Sequence, residues 1–320
     1  MKQISVYQSE LIDAVLAEKD VGGLTAAILE KDIHVTEILH KLASLQTPPF
    51  NLVFCGGTSL AKAHSIIERM SEDIDFKILI TDDHGLSRSA INTQLKQLKK
   101  QIGNALNDMD FVADTDQFIT LNENRYFATA WFYQSHYESD SSLRPHLSLE
   151  FTMRKPFFPV ELTPIGYLVN QLAELENNSV ALSCVAVEET LAEKVLSFLR
   201  RYAQLRSEKL SIENWDTALV RHIYDVYCIV STTPEAQSNA QHHFKALAEQ
   251  DAKIFSQHTE FAQNPRACLL AALASAEIDT QIQREYQTRL LPLIYGANRP
   301  SFSVAFLTFK QSAELLIETL

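Results

Sequence analysis

One segment constrains this chain more than any other. Asn51-Leu52-Val53-Phe54-Cys55 runs into Gly56-Gly57-Thr58-Ser59-Leu60, and Ser71-Glu72-Asp73-Ile74-Asp75-Phe76 follows shortly after. Residues 51–55 are a short apolar run of strand type, two glycines let backbone approach a ligand closely, and Leu60-Ala61-Lys62-Ala63 begins a helix. A strand, a glycine turn and a helix N-terminus together predict an anion site, because the first N–H groups of a helix lack partners and its dipole favours negative charge. Gly56, Gly57, Thr58 and Ser59 are therefore candidates to cradle the β- and γ-phosphates of a nucleotide. Thr58 and Ser59 are equally suited to capping the helix, and the two roles are compatible. Lys62, near the start of that helix, faces either phosphate or solvent.

Asp73 and Asp75 alternate with Ile74 and Phe76. A strand of period two sends both carboxylates to one face and both apolar side chains into the core. Two such oxygen ligands suit a pair of Mg²⁺ ions that also hold a triphosphate and activate an attacking hydroxyl. The competing interpretation is a solvated strand end. His146-Leu147-Ser148-Leu149-Glu150-Phe151 alternates in the same way, which makes Glu150 a candidate third ligand, or else a strand-end glutamate paired with Arg144 or Arg154.

The chain of 320 residues has room for two domains. No segment approaches the roughly 18 uninterrupted apolar residues of a membrane span, and Met1-Lys2-Gln3-Ile4-Ser5 lacks an apolar signal core, so a cytoplasmic location and no membrane partner are expected. Cys55, Cys184, Cys228 and Cys268 are scattered without a C-x-x-C pair, which argues against a zinc site or a disulfide framework. The formal charge of −12 repels polyanions, so any nucleic-acid contact must be local. Candidate basic patches are Lys96, Lys99 and Lys100, and Arg200, Arg201, Arg206 and Lys209; each is equally a solvated helix face.

Residues 1 to about 48 are predicted helical up to Thr47-Pro48-Pro49. Strand 51–55, helix 59–69 and strand 73–80 follow, then a polar turn at Asp82-Asp83-His84-Gly85, a helix over 87–106, and strands near 111–114, 125–133 and 146–153. Pro156, Pro159 and Pro164 with the polar run after Glu174 suggest a connector over 155–186. Beyond Val187 glycine is nearly absent and helical periodicity dominates, over 188–206, 214–231, 235–255, 266–275, 280–291 and 302–319. The expected division is 1–186 and 187–320. Phe127, Trp131, Phe132 and Tyr133 more plausibly pack a sheet than stack a base, and His64 and His222 have no second ligand at metal spacing. Lys194 shares a helix side with Leu191 and Phe198, where a charge needs an anionic partner such as a nucleoside triphosphate, or else snorkels past the apolar stripe to water. Asp225 sits four residues after Arg221, so an i, i+4 salt bridge is one explanation for it.

The ordered set formed by Gly56-Gly57-Thr58-Ser59, Asp73-Ile74-Asp75, Glu188-Glu189-Thr190-Leu191-Ala192-Glu193-Lys194-Val195 and Arg221-His222-Ile223-Tyr224-Asp225-Val226-Tyr227 resembles the four motifs of the AbiEii/AbiGii-type nucleotidyltransferase toxins of bacterial type IV toxin–antitoxin and phage-defence systems. The resemblance covers roughly residues 50 to 230. It implies an α+β fold, a polymerase-β-like nucleotidyltransferase core with a short mixed sheet followed by an all-helical C-terminal lobe that completes the active-site cleft. It also implies catalytic roles for Asp73, Asp75, Lys194 and Asp225, the last orienting Lys194 or the nucleotide. The implied activity is Mg²⁺-dependent transfer of a nucleoside monophosphate from an NTP to an acceptor hydroxyl, with the tRNA 3′ end as leading acceptor and a cognate antitoxin encoded nearby. Two alternatives stand beside it: nucleotidylation of a protein side chain, and a non-catalytic module that binds a nucleotide or an antitoxin.

Overall fold

The computed structural model describes residues 1–81, 85–138, 143–207 and 219–320. Asp82, Asp83 and His84 of the expected turn, Lys209 of the second basic patch, and positions 214–218 of the helix expected from 214 lie outside the described residues. The chain divides into two compact units, residues 1–65 with 69–185, and residues 66–68 with 186–320.

The first unit opens with two helices, α1 (Val6–Glu18) and α2 (Ala26–Ala43). A capping box starts α1: Ser5 Oγ accepts from Gln8 N at 3.2 Å and Gln8 Oε1 accepts from Ser5 N at 2.8 Å. Among the described residues the sheet of this unit contains β1 (Phe50–Cys55), β2 (Asp73–Ile80), β3 (Val112–Ala113), β4 (Ile119–Leu121), β5 (Tyr126–Phe132), β6 (His146–Met153), β7 (Glu161–Ile165) and β8 (Val180–Cys184). Its order is β3-β5-β6-β2-β1-β8-β7, with β4 also on β5. β2 runs parallel to β6 and β1 parallel to β8; the other pairs are antiparallel. Among the described residues this unit also holds the α-helices α3 (Gly56–Lys62), α4 (Arg88–Asn107) and α5 (Leu168–Leu172).

A row of rings fixes the register of the central strands. Phe54, Phe76, Phe151 and Phe127 stand side by side across β1, β2, β6 and β5, with successive centroids 5.5, 5.6 and 4.8 Å apart. Val35, Ile38, Leu39 and Leu42 of α2, and Leu95, Leu98, Ile102 and Leu106 of α4, complete the same core. A one-residue slip would carry four phenylalanines out of this layer, so the register is strongly specified. The aromatic strand β5 thus packs the core through Phe127 and Trp131.

Two expectations are revised. Residues 155–186 are not a connector: β7, α5 and β8 complete the sheet, and Pro164 is tolerated because β7 is an edge strand whose missing N–H breaks no second ladder. The helix after β1 begins at Gly56 rather than 59 and ends at Lys62 rather than 69. Ser65 then adopts φ 52, and the apolar residues Ile66 and Ile67, 9% and 2% exposed, join the second unit.

Outside residues 66–68, 294–301 and short turns, the described part of that unit is helical: α6 (Val187–Ser207), α7 (Leu219–Thr232), α8 (Ala236–Ile254), α9 (Thr259–Gln263), α10 (Pro265–Glu277), α11 (Thr280–Glu285) and α12 (Phe302–Ile317), with a π-helical turn over Tyr286–Leu290. α6 packs on α7, α8 and α10, and α12 on α7 and α8. Glu68 O accepts from Tyr295 N at 3.0 Å and from Gly296 N at 3.2 Å, which ties the early segment into the helical core. Arg200 does not belong to a basic patch: its guanidinium is buried, lies 3.4 Å from Asp251 Oδ2 and stacks 3.5 Å above the Phe255 ring.

Candidate active site

The ring row sets the direction of everything on the other side of the sheet. Because Ile74 and Phe76 point into the core, Asp73 and Asp75 project from the opposite face of β2. Glu150 is the lateral neighbour of Asp75 across the parallel β2–β6 pair, and Cys55 is its neighbour on β1. Ala128, the residue of β5 beside Glu150, leaves room over that position. Tyr126, on the same strand, donates its hydroxyl to Glu150 Oε2 at 3.1 Å. Burial, and then the negative charges of Glu150 and Asp75, push the Tyr126 phenol up to about 12, so it stays a donor at neutral pH. Arg144, just before β6, places Nη1 2.6 Å from Asp73 Oδ1. That guanidinium, half exposed, neutralises one member of the acidic pair.

Gly56 is required twice over at this end of the sheet. Its φ of +80° lies in the left-handed region, and a Cβ there would come within 2.2 Å of Asp75 Oδ2. The Asp75 carboxylate therefore sits directly against the first residue of α3. Gly57 is the second: a Cβ would fall 2.9 Å from both Arg69 Nη2 and Ser71 Oγ. Arg69 is buried and gives Nη1 to Met70 O at 2.9 Å, so a fixed guanidinium overlies the helix start.

The neighbouring hydroxyls are directed inward. Thr58 Oγ1 donates to Asp73 O and meets Ser71 Oγ at 3.0 Å, which stitches α3 to the start of β2; Ser59 is buried beside it. Lys62 is turned away from solvent. Its Nζ lies 2.5 Å from Asp32 Oδ1 on α2, because a lysine on that flank of a short helix meets the packed α2 surface. Beneath the site, Lys31 of α2 is fully buried and ion-paired with Glu72, whose Oε2 also accepts from Arg144 N at 3.1 Å; Lys31 gives another bond to Arg144 O at 2.6 Å. Burial lowers the Lys31 ammonium below its ordinary value against the opposing pull of Glu72. This buried pair pins the two chain segments that carry Asp73 and Arg144.

In the helical unit, Lys194 of α6 and Asp225 of α7 form an ion pair at 2.6 Å, with the aspartate wholly buried. Arg221 is thus not the only cation available to Asp225. His222 Nδ1 donates to Lys194 O at 3.0 Å, which settles its tautomer. Burial, followed by the Lys194 charge, holds this imidazole down at about 3, so it is neutral at physiological pH.

Asp73, Asp75 and Glu150 are hard oxygen donors of the type that binds Mg²⁺, and they share one sheet face. Among the described residues, the group of three His, Cys, Asp or Glu side chains whose ligand atoms all lie within 4.8 Å of one another is elsewhere, at His258, Glu260 and Cys268. The acidic trio is instead held by its partners, Asp73 by Arg144 and Glu150 by Tyr126. Sequence reasoning missed Tyr126, Arg69, Lys31 and Glu72. An Arg-x-Ser-x-Asp-x-Asp run over 69–75 was the available signal for Arg69; nothing local marks Lys31. An open groove of about 450 Å³ lined by Lys41, Gln97, Lys100, Gln101 and Asn104 lies between α2 and α4, on the core side of the sheet and away from the carboxylates.

No curated protein matches the chain. Among solved structures it is similar to MenT4, a nucleotidyltransferase toxin from Mycobacterium tuberculosis H37Rv, with a TM-score of 0.56 and 17% sequence identity over 98% of this chain and 90% of that one. At that identity the likeness establishes the fold. Residues 38–307 match the family model described as nucleotidyl transferase AbiEii toxin, type IV toxin–antitoxin system. The match takes in the sheet, the acidic face and most of the helical unit, and the chain accordingly belongs to the AbiEii family of nucleotidyltransferase toxins.

Proposed function

We propose that the protein transfers a nucleoside monophosphate from an NTP to an acceptor hydroxyl in a Mg²⁺-dependent reaction, with the 3′ end of tRNA as the leading acceptor. The observation that carries this is the shared sheet face of Asp73, Asp75 and Glu150 next to the close-approach glycine Gly56. In the reaction the acceptor oxygen bonds to the α-phosphorus, the bond from that phosphorus to the bridging oxygen breaks, and pyrophosphate leaves. Asp73, Asp75 and Glu150 would hold the metal, which when bound neutralises phosphate charge and favours the ionised acceptor. Tyr126 fixes Glu150, and Gly56 keeps the Asp75 carboxylate against the helix start. Lys194, buried and ion-paired with Asp225, is the further cation to which this reading gives a catalytic role.

A second acceptor class, a protein hydroxyl, is favoured by one feature, the net charge of −12, which disfavours a polyanionic partner. Incubating the purified protein with each labelled NTP, Mg²⁺, total tRNA and cell extract separates the two by which macromolecule gains label. An Asp73→Ala/Asp75→Ala variant should stay folded and lose transfer and growth arrest together. Growth arrest undiminished in that variant would refute the catalytic proposal and leave a binding module. A cognate antitoxin follows from the type IV family; its identity is sought by co-expression rescue of growth.

A further inference from the structure

We infer that His258, Glu260 and Cys268 form a binding site for one zinc-class divalent cation within the helical unit. The site shares no residue with the transfer chemistry. His258 lies in the turn after α8, Glu260 in the first turn of α9 and Cys268 in α10, and their ligand atoms all lie within 4.8 Å of one another. His258 is 5% and Cys268 9% exposed, whereas Glu260 reaches solvent. The donors are placed by hydrogen-bonded turns rather than by loose loops. His258 N donates to Phe255 O at 2.9 Å, Ala262 N to His258 O at 2.9 Å and Cys268 N to Asn264 O at 3.1 Å, while the Asn264 side chain caps α10 by accepting from Ala267 N at 3.0 Å. The Phe261 ring, buried and 6.0 Å from the imidazole, backs the site.

The donor chemistry selects the ion. An imidazole, a thiol and one carboxylate suit Zn²⁺, whereas Mg²⁺ and Ca²⁺ demand oxygen throughout. Three protein donors leave a fourth position for water on the exposed Glu260 side. Binding forms the S–metal bond, breaks S–H and releases that proton to solvent. The bound ion would staple α9, a five-residue helix, to the start of α10.

The test is metal binding by the full-length protein with Mg²⁺ in excess, so that the carboxylate face is not scored. One equivalent of Zn²⁺ should survive desalting and raise the melting temperature, and Co²⁺ substitution should give a thiolate-to-metal charge-transfer band. Cys268→Ser should abolish the band; Cys55→Ser should keep it, which excludes the thiol beside Asp75. Glu260→Gln, an exposed change that leaves the fold alone, should weaken Zn²⁺ retention on the order of tenfold or more. No band in the parent protein, or a band that persists in Cys268→Ser, would show the three side chains to be a hydrogen-bonded cluster only. These readouts do not involve transfer activity, so they stand or fall separately from it.

Discussion

A methyl group added at Gly56 would meet two obstacles, a left-handed backbone and the Asp75 carboxylate. Gly56→Ala is expected to cost about 1–3 kcal/mol in denaturant unfolding and to reduce transfer out of proportion to that loss, because the side chain displaced is a proposed metal ligand. Lys31 presents the opposite case, a charge retained in the core by one ionic partner, Glu72, and the Arg144 carbonyl. Lys31→Met strands Glu72 without its cation and should destabilise the protein by about 3–5 kcal/mol; a Lys31→Met/Glu72→Leu double variant should recover much of that stability, since two apolar groups leave no buried charge. Transfer by the recovered double variant would still fall if the pair also positions Asp73, which a purely structural role does not require. His222 gives a pH prediction. Its folded pKa is depressed to about 3, below an unfolded value near 6.5, so the unfolded chain binds the extra proton between those limits. The stability it confers is present above about pH 6.5 and is lost as pH falls, with a slope of at most about 1.4 kcal/mol per pH unit. Unfolding curves for His222→Gln between pH 7 and 4 should be flatter than those of the parent.

At the scale of elements, what could be read in advance depended on whether the signal was local. β2 alternates over Asp73–Ile78 and β6 over its length, and Ile74, Phe76, Leu149 and Phe151 land in the core as the period requires. The helices after Val187 were legible for the same reason, because apolar spacing along one helix does not depend on the rest of the chain. α3 was misjudged because Ile66 and Ile67 look like the next turn of an apolar face, while tertiary packing draws them into another core. The β7–β8 hairpin was hidden by prolines whose harmlessness depends on an edge position, and sheet order is not written in any one strand. In the site, Asp73, Asp75 and Glu150 were visible from alternation. Lys31 was not, because it belongs to a helix whose polar and apolar residues are both buried. Its partner, Glu72, lies 41 positions away in sequence.

For the molecule as a whole the electrostatics are the first constraint. With a formal charge of −12, an RNA acceptor would be held through local cations such as the exposed Lys96 and Lys100, whereas Lys99 folds over Phe118 and Phe127 and bonds Thr120. Each neutralised phosphate contributes roughly 0.7–0.9 to the slope of log affinity against log salt, so binding of tRNA should show a shallow line. A steep slope, measured by filter binding from low to moderate salt, would mean that many more phosphates are neutralised than Lys96 and Lys100 can reach. The chain also visits the helical unit twice, first for Ile66–Glu68 and again from Ala186 onward. Glu68 is clasped there by the amides of Tyr295 and Gly296, and Gly296 has no space for a larger residue beside it. The gene therefore offers no single cut point: a recombination event that exchanged the C-terminal half as a cassette would inherit the clasp without the tongue it grips, so chimeras between relatives should survive only when both stretches travel together.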